Sequence, residues 1–300
     1  MDLGRLGAWS PHLRRTDDPA VRAAAAELEQ AGYRTLWTPA GAGTRGFDIA
    51  GALLAATGSA VVATGITSIW ATTVDQTAAG FARLEAQAPG RFLLGLGVSH
   101  AALVDKGAPG RYARPLAAIT DYLGELDARS AAPASRRVLA ALSPRMLRLA
   151  ARASLGTHPY LVTPEMTAQL RDALPGGLVA VEQAVVVDED PASARAKARD
   201  YLRMYLALPN YFRVWLRHGY TEADLAGGGS DRLVDDLVLW GSAEEVASRA
   251  ARHWAAGADH LAVQVVGAPD GLGLADYRTL APQLARAAAS DVASAAPAAR

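Results

Sequence analysis

The sequence predicts a closed (β/α)8 barrel. Three observations carry this. Apolar runs of strand length alternate with alanine-rich helical stretches through eight rounds, the pattern that parallel strands with right-handed crossovers impose. Eight such units in roughly 290 residues fit one closed barrel better than two open sheets, a doubly wound sheet being the runner-up. The third observation is the stretch Gly90-Arg91-Phe92-Leu93-Leu94-Gly95-Leu96-Gly97-Val98-Ser99-His100, which follows Pro89 and ends in a small polar turn. It is too short for an ordinary helix and reads as a fully buried parallel strand. Gly95 and Gly97 lie two apart and share a face. Glycine weakens a strand, so the pair implies that something approaches the backbone closely there. The stretch does not fit the dinucleotide fingerprint G-x-G-x-x-G, because His100 holds the third glycine position.

The first strand is Leu3 to Ser10. Asp17-Asp18-Pro19 then opens a helix with an acidic cap and a proline in the first turn, and Gly32 stops it. Tyr33 to Thr38 is the second strand. A glycine-rich loop leads to a helix from Phe47 to Gly58. Ala60 to Trp70, rich in Val, Ile and Thr, is the third strand, with Gly65 inside it. A helix over Val74 to Ala88 leads to the fourth, glycine-bearing strand. A Gly/Pro-rich loop to about Arg111 precedes a helix from Pro115 to Ala128. Arg137 to Leu142 is the fifth strand, and Ser143-Pro144 opens the next helix. Leu155 to Val162 is a poorer strand, kept because the alternation requires one. Thr163-Pro164-Glu165 caps a helix. Leu178 to Val187 is the seventh strand, and Asp190-Pro191 caps a long helix to Leu208. Residues 209–239 break the rhythm with aromatics and Gly227-Gly228-Gly229, and read as an insertion of helical excursions and a loop. Ser242 to Ala256 is a helix with Glu244-Glu245 in its first turn, suited to the dipole. Ala258 to Val266 is the eighth strand, and a last helix runs to Ala287. One barrel domain over 1–287 is expected, with a disordered Ala/Ser/Pro-rich tail over 288–300.

Composition removes several classes of function. Lys+Arg and Asp+Glu are 30 each, so no charge excess favours nucleic acid or an anionic membrane. With no cysteine, disulfides, thiolate metal sites and a cysteine nucleophile are excluded. No apolar run reaches transmembrane length and no signal segment opens the chain, so a cytoplasmic protein is expected. No H-E-x-x-H or comparable spacing exists, and no metal is expected.

In such a barrel the site lies at the C-terminal ends of the strands. Those ends carry Trp9, Trp37, Trp70, His100, Ser143, His158 and Tyr160. Aromatic walls with few polar groups suit a planar aromatic ligand, although tryptophans there could simply plug the barrel. Ser143-Pro144-Arg145 is the best anion site. Serine caps the helix, its free N–H groups face outward, and Arg145 adds charge. An ordinary capped helix with a solvated arginine would look the same. His100 and His158 are the strand-end histidines able to transfer protons near neutral pH.

With this pattern laid out, the chain resembles the bacterial luciferase-like monooxygenase superfamily. The resemblance rests on the helix Thr77 to Ala88 and on Pro89-Gly90-Arg91-Phe92 with Leu94-Gly95-Leu96-Gly97. Within the superfamily it is similar to actinobacterial probable coenzyme F420-dependent oxidoreductases. Matching stretches are Ala63-Thr64-Gly65-Ile66, Thr157 to Glu165, Leu206 to Tyr211 and Asp224 to Asp235. The resemblance implies a hydride-transferring oxidoreductase that binds F420, or alternatively FMN in a monooxygenase, at the strand ends. A barrel paralogue without catalysis is a further alternative. It implies a non-prolyl cis peptide at Gly65-Ile66 in a bulge of strand three. It also implies cofactor contacts from Trp9, Thr67, Gly97, Val98, Ser99, Ser143, Arg145 and Thr163. Trp37, Trp70 and Tyr160 are the expected substrate pocket, and His100 and His158 the proton-handling candidates. A small organic substrate and a homodimer are expected. The chain departs from some F420-dependent dehydrogenases, which carry an acid where His100 stands and a histidine where Pro39-Ala40 stands.

Overall fold

The computed structural model describes residues 1–106 and 108–295. Ten strands form one parallel sheet: β1 (Leu6–Trp9), β2 (Thr35–Thr38), β3 (Val61–Thr64), β4 (Thr67–Ser68), β5 (Phe92–Gly97), β6 (Arg137–Leu139), β7 (Gly156–Thr157), β8 (Leu178–Val187), β9 (Val238–Gly241) and β10 (His260–Val265). Successive pairing runs from β1 to β8. β10 closes the ring by pairing with β8 (Leu261↔Val181) and with β1 (Leu6↔Leu261). The result is the expected (β/α)8 barrel, its eight staves being the eight strands read from the sequence.

Apart from β8, the staves are shorter than the strands read from the sequence, and the third is split. Between β3 and β4 the chain turns through Gly65 and Ile66, joined by a cis peptide bond at the position the resemblance implies. The sixth stave, β7, is two residues long. β9 was not expected. Its residues Val238 and Leu239 pair with Ala184 and Val185, which also pair with β10, so β9 lies on the edge of β8 that β7 occupies lower down. The short β7 leaves the upper half of the ten-residue β8 free, and the apolar Val238-Leu239-Trp240 fills it.

Helix starts follow their caps. Ser143, Thr163 and Asp190 accept from the backbone N–H groups of Met146, Met166 and Ser193, and Thr73 and Ser242 close capping boxes with Gln76 and Glu245. The insertion holds helices Pro209–Arg217, Glu222–Leu225 and Asp231–Leu237 before β9. The last helix, Leu274–Ala295, continues through residues 288–295, where a disordered tail was expected; 296–300 lie outside the described residues.

The core has two parts. A large shell joins helices to the outside of the barrel. A small inner cluster of Leu3, Trp9, Trp37, Val61, Ala63, Leu93, Val138, Ala180 and Ala262 fills the barrel itself. Gly95 answers the question its strand posed. A Cβ there would lie 1.8 Å from the Thr64 carbonyl oxygen, so the close neighbour is the bulged third stave.

Candidate active site

At the C-terminal ends of the staves lies a cavity of about 800 Å³. Its floor is built by Trp9 at the end of β1, Gly65-Ile66 in the split stave, and His158 just beyond β7. Gly65 permits this packing: a Cβ there would sit 2.4 Å from Trp9 Nε1 and 3.1 Å from His158 Nε2. Both nitrogens are buried without a hydrogen-bond partner. The His158 ring is set by Nδ1–H, which donates to the Ala180 carbonyl at 2.7 Å, leaving Nε2 as a lone-pair acceptor. Desolvation lowers its pKa to about 4, against the smaller opposing effect of that hydrogen bond, so the ring is neutral near pH 7. The floor therefore offers one donor, Trp9 N–H, and one acceptor, His158 Nε2, side by side.

The loop after β5 forms one wall. Ser99 adopts a left-handed φ of 54°, and its carbonyl accepts from the Tyr112 hydroxyl at 3.3 Å. His100, half-buried, faces the Asn210 amide, Nδ2 to Nδ1 3.3 Å, which leaves the ring proton on Nε2. Desolvation lowers its pKa. The adjoining wall comes from helices Pro191–Leu206 and Pro209–Arg217 and the turn between them, through Tyr201, Tyr205, Leu208, Tyr211, Arg213 and Arg217.

Of the residues expected at the site, Trp9, Gly65, Ile66, Val98, Ser99, His100, Ser143, His158 and Tyr160 line this cavity. The others do not. Trp37 is fully buried inside the barrel, stacked on His158 at 4.0 Å, with its N–H donating to His260 Nε2; it plugs the floor and is no pocket wall. Trp70 lies behind the β5 loop and donates to the Val98 carbonyl at 2.8 Å. Arg145 is exposed and turned away, because its place in the first turn puts it on the solvent side of the helix that Ser143 caps. Thr163 is buried as the cap of the next helix. Thr67 and Gly97 are covered within the sheet, Thr67 bonded to Thr64 and Gly97 roofed by Ile66.

Sequence reasoning missed the tyrosine wall and the arginines of the insertion. Their signal was the aromatic run over 201–220, which carries Tyr201, Tyr205, Tyr211, Phe212, Trp215 and Tyr220. Among the described residues no cluster of three or more His, Asp or Glu could hold a metal, and no helix is long and apolar enough to cross a membrane.

A sequence model of the luciferase-like monooxygenase family matches residues 14–128 and 119–260. The chain belongs to that family, and it is an oxidoreductase of the luciferase-like kind. Among solved structures it is similar to an F420-dependent secondary alcohol dehydrogenase in complex with an F420–acetone adduct (TM-score 0.70, 16% identity, 93% of this chain and 98% of that one). It is similar to the coenzyme F420-dependent tetrahydromethanopterin reductase of Methanopyrus kandleri (TM-score 0.70, 18% identity, 93% and 98%). It is also similar to the FMN-bound oxygenating constituent of 3,6-diketocamphane monooxygenase from Pseudomonas putida (TM-score 0.66, 14% identity, 94% and 98%). At these identities the likeness is one of fold. No curated protein matches the sequence.

Proposed function

We propose that the protein transfers hydride between a deazaflavin of the F420 type and a small organic substrate with an activated double bond. The observation that carries this is the unpartnered pair at Gly65, Trp9 N–H and His158 Nε2. Buried polar atoms without partners are uncommon and costly, so the pair is complementary to a ligand edge that offers both a carbonyl and an N–H. The pyrimidinedione edge of a flavin or deazaflavin is such an edge. The residues present fit the group: Trp9, Gly65, Ile66 and His158 for the ring, Val98 and Ser99 beside it, and Ser143 with its helix start for a phosphate. When bound, a deazaflavin supplies or accepts a hydride at C5. The chain's own part is to exclude water with its apolar walls, hold the ring edge at the floor, and move the balancing proton, which we assign to His100.

Preference for F420 over FMN rests on the stretches Thr157 to Glu165 and Asp224 to Asp235, which resemble the F420 subfamily. Parallel binding titrations with F420, FMN and NADPH test it. F420 is expected to bind most tightly. Tighter FMN binding, or FMN retained through purification, would reverse the assignment in favour of a monooxygenase.

A further inference from the structure

Glu182 has no task in the reading above. It is 1% exposed in the middle of β8, two residues along from the inward-facing Ala180, and so points into the barrel. Neither carboxyl oxygen has a hydrogen bond of good geometry. The Tyr201 hydroxyl and the Leu161 N–H stand beside it, and tyrosines 160, 205, 211 and 277 lie around it. Burial pushes its pKa well above the ordinary carboxylate value, which favours the protonated form.

Beside it the phenols converge. The Tyr201 and Tyr205 hydroxyls donate to the Tyr160 oxygen at 3.0 and 3.2 Å, and Tyr160 donates to Gln264 Oε1. All four side chains line the cavity. Because Tyr160 accepts twice, Tyr205 can turn its O–H to a ligand oxygen and leave Tyr160 satisfied. The rings of Tyr160, Tyr205, Tyr211 and His100 follow one another at centroid distances of 5.5, 5.5 and 5.3 Å, tilted or edge-on to one another, giving a continuous aromatic wall that ends at the histidine.

Resting on the hydride-transfer reading, we propose that the Tyr205 hydroxyl, backed by Tyr160, Tyr201 and Glu182, binds the carbonyl oxygen of a conjugated substrate, and that the bond reduced is the C=C conjugated to it. Hydride from the reduced carrier adds to the β-carbon, and the π pair shifts to give an enolate. The two electrons and the one hydrogen are what a reduced deazaflavin would supply. Tyr205 O–H holds the enolate oxygen in a cavity of low dielectric, where fixed donors act strongly. The α-carbon then takes a proton from His100 in its imidazolium form, the neutral imidazole is reprotonated from solvent, and the carbonyl re-forms. Glu182 touches no substrate; buried beside Tyr201, whose O–H is committed to Tyr160, it is a positioning residue that acts through the phenol chain.

The probe is 4-nitrophenol, whose phenolate resembles an enolate, with nitrobenzene as the control, titrated into the purified protein without cofactor. The phenolate should bind. Tyr205→Phe and Tyr160→Phe, which keep the ring, should each weaken it about tenfold or more while changing nitrobenzene affinity little. Glu182→Gln should raise the pH at which bound 4-nitrophenol ionises, a shift that a packing role alone would not produce. The proposal fails if 4-nitrophenol binds no better than nitrobenzene, or if Tyr205→Phe weakens both alike. In turnover, a cyclic enone should be reduced and the matching saturated ketone should not; equal rates would overturn the conjugated assignment. Since the phenol titration needs no cofactor, a failure of F420 to bind leaves it independently readable.

Discussion

Two histidines stand at the cavity, and their surroundings separate them. His158 is buried, tethered to Ala180 and neutral, with only a lone pair to offer. His100 is half-buried at the wall, and its Nε2 carries the exchangeable proton. We expect His100→Gln to lower kcat by about a hundredfold or more with cofactor affinity nearly unchanged, the mark of a group that acts in the transition state. His158→Gln should mainly weaken cofactor binding. If His100→Gln keeps its kcat when chemistry limits the rate, the ring is structural and the proton comes from elsewhere. Position in the sequence placed both at strand ends. It could not assign their tautomers, because that of His158 depends on a carbonyl from β8 and that of His100 on Asn210 of the insertion, both remote in the chain.

At the scale of elements, the cations that face the cavity are not the one the sequence pattern offers. Sequence pattern paired Ser143 with Arg145, neighbours on one helix start. In the fold Arg145 faces solvent, whereas Arg213 and Arg217, one turn apart on helix Pro209–Arg217, line the cavity. Neither makes an ion pair among the described residues. Replacing Arg213 and Arg217 by Ala should weaken cofactor binding by about 1.5–3 kcal/mol per lost charge-assisted contact. Arg145→Ala should leave affinity unchanged. Isothermal titration of the variants decides between them, and an effect confined to Arg145 would restore the original site. The sequence marks the insertion only as an interruption of the rhythm; its helix Pro209–Arg217, with helix Pro191–Leu206, builds the wall that adjoins the β5 loop. A helix period tells which face is apolar, but not which cavity that face closes.

At the scale of the molecule, three histidines link stability to pH. His158, His253 and His260 are buried, and desolvation lowers each from 6.5 to about 4. In each the folded pKa lies below the unfolded one, so between about 6.5 and 4 the unfolded chain binds the extra protons. Stability from this source is complete above about 6.5 and falls as the pH drops. Between pH 7 and roughly 5.5, before most carboxylates titrate, the loss should be about 1 kcal/mol per histidine. Urea midpoints across that window measure it. His253→Gln should flatten the slope, and a midpoint independent of pH would remove the explanation.

The sequence by itself determined the barrel, its eight staves, the capped helix starts and the close approach at Gly95, since these follow from local period, local caps and the absence of a side chain. It also placed Trp9, His100, His158 and Tyr160 at the open end, because strand ends are local features too. Only the tertiary structure decided that Trp37 plugs the barrel while Trp9 faces the cavity, that the short β7 leaves room for β9, and that Glu182 meets tyrosines from separate helices. Inward strand positions look alike in sequence. Which of them ends in a packed floor and which in an open site depends on how far the closed ring staggers its strands, and that is fixed only when β8 and β10 meet.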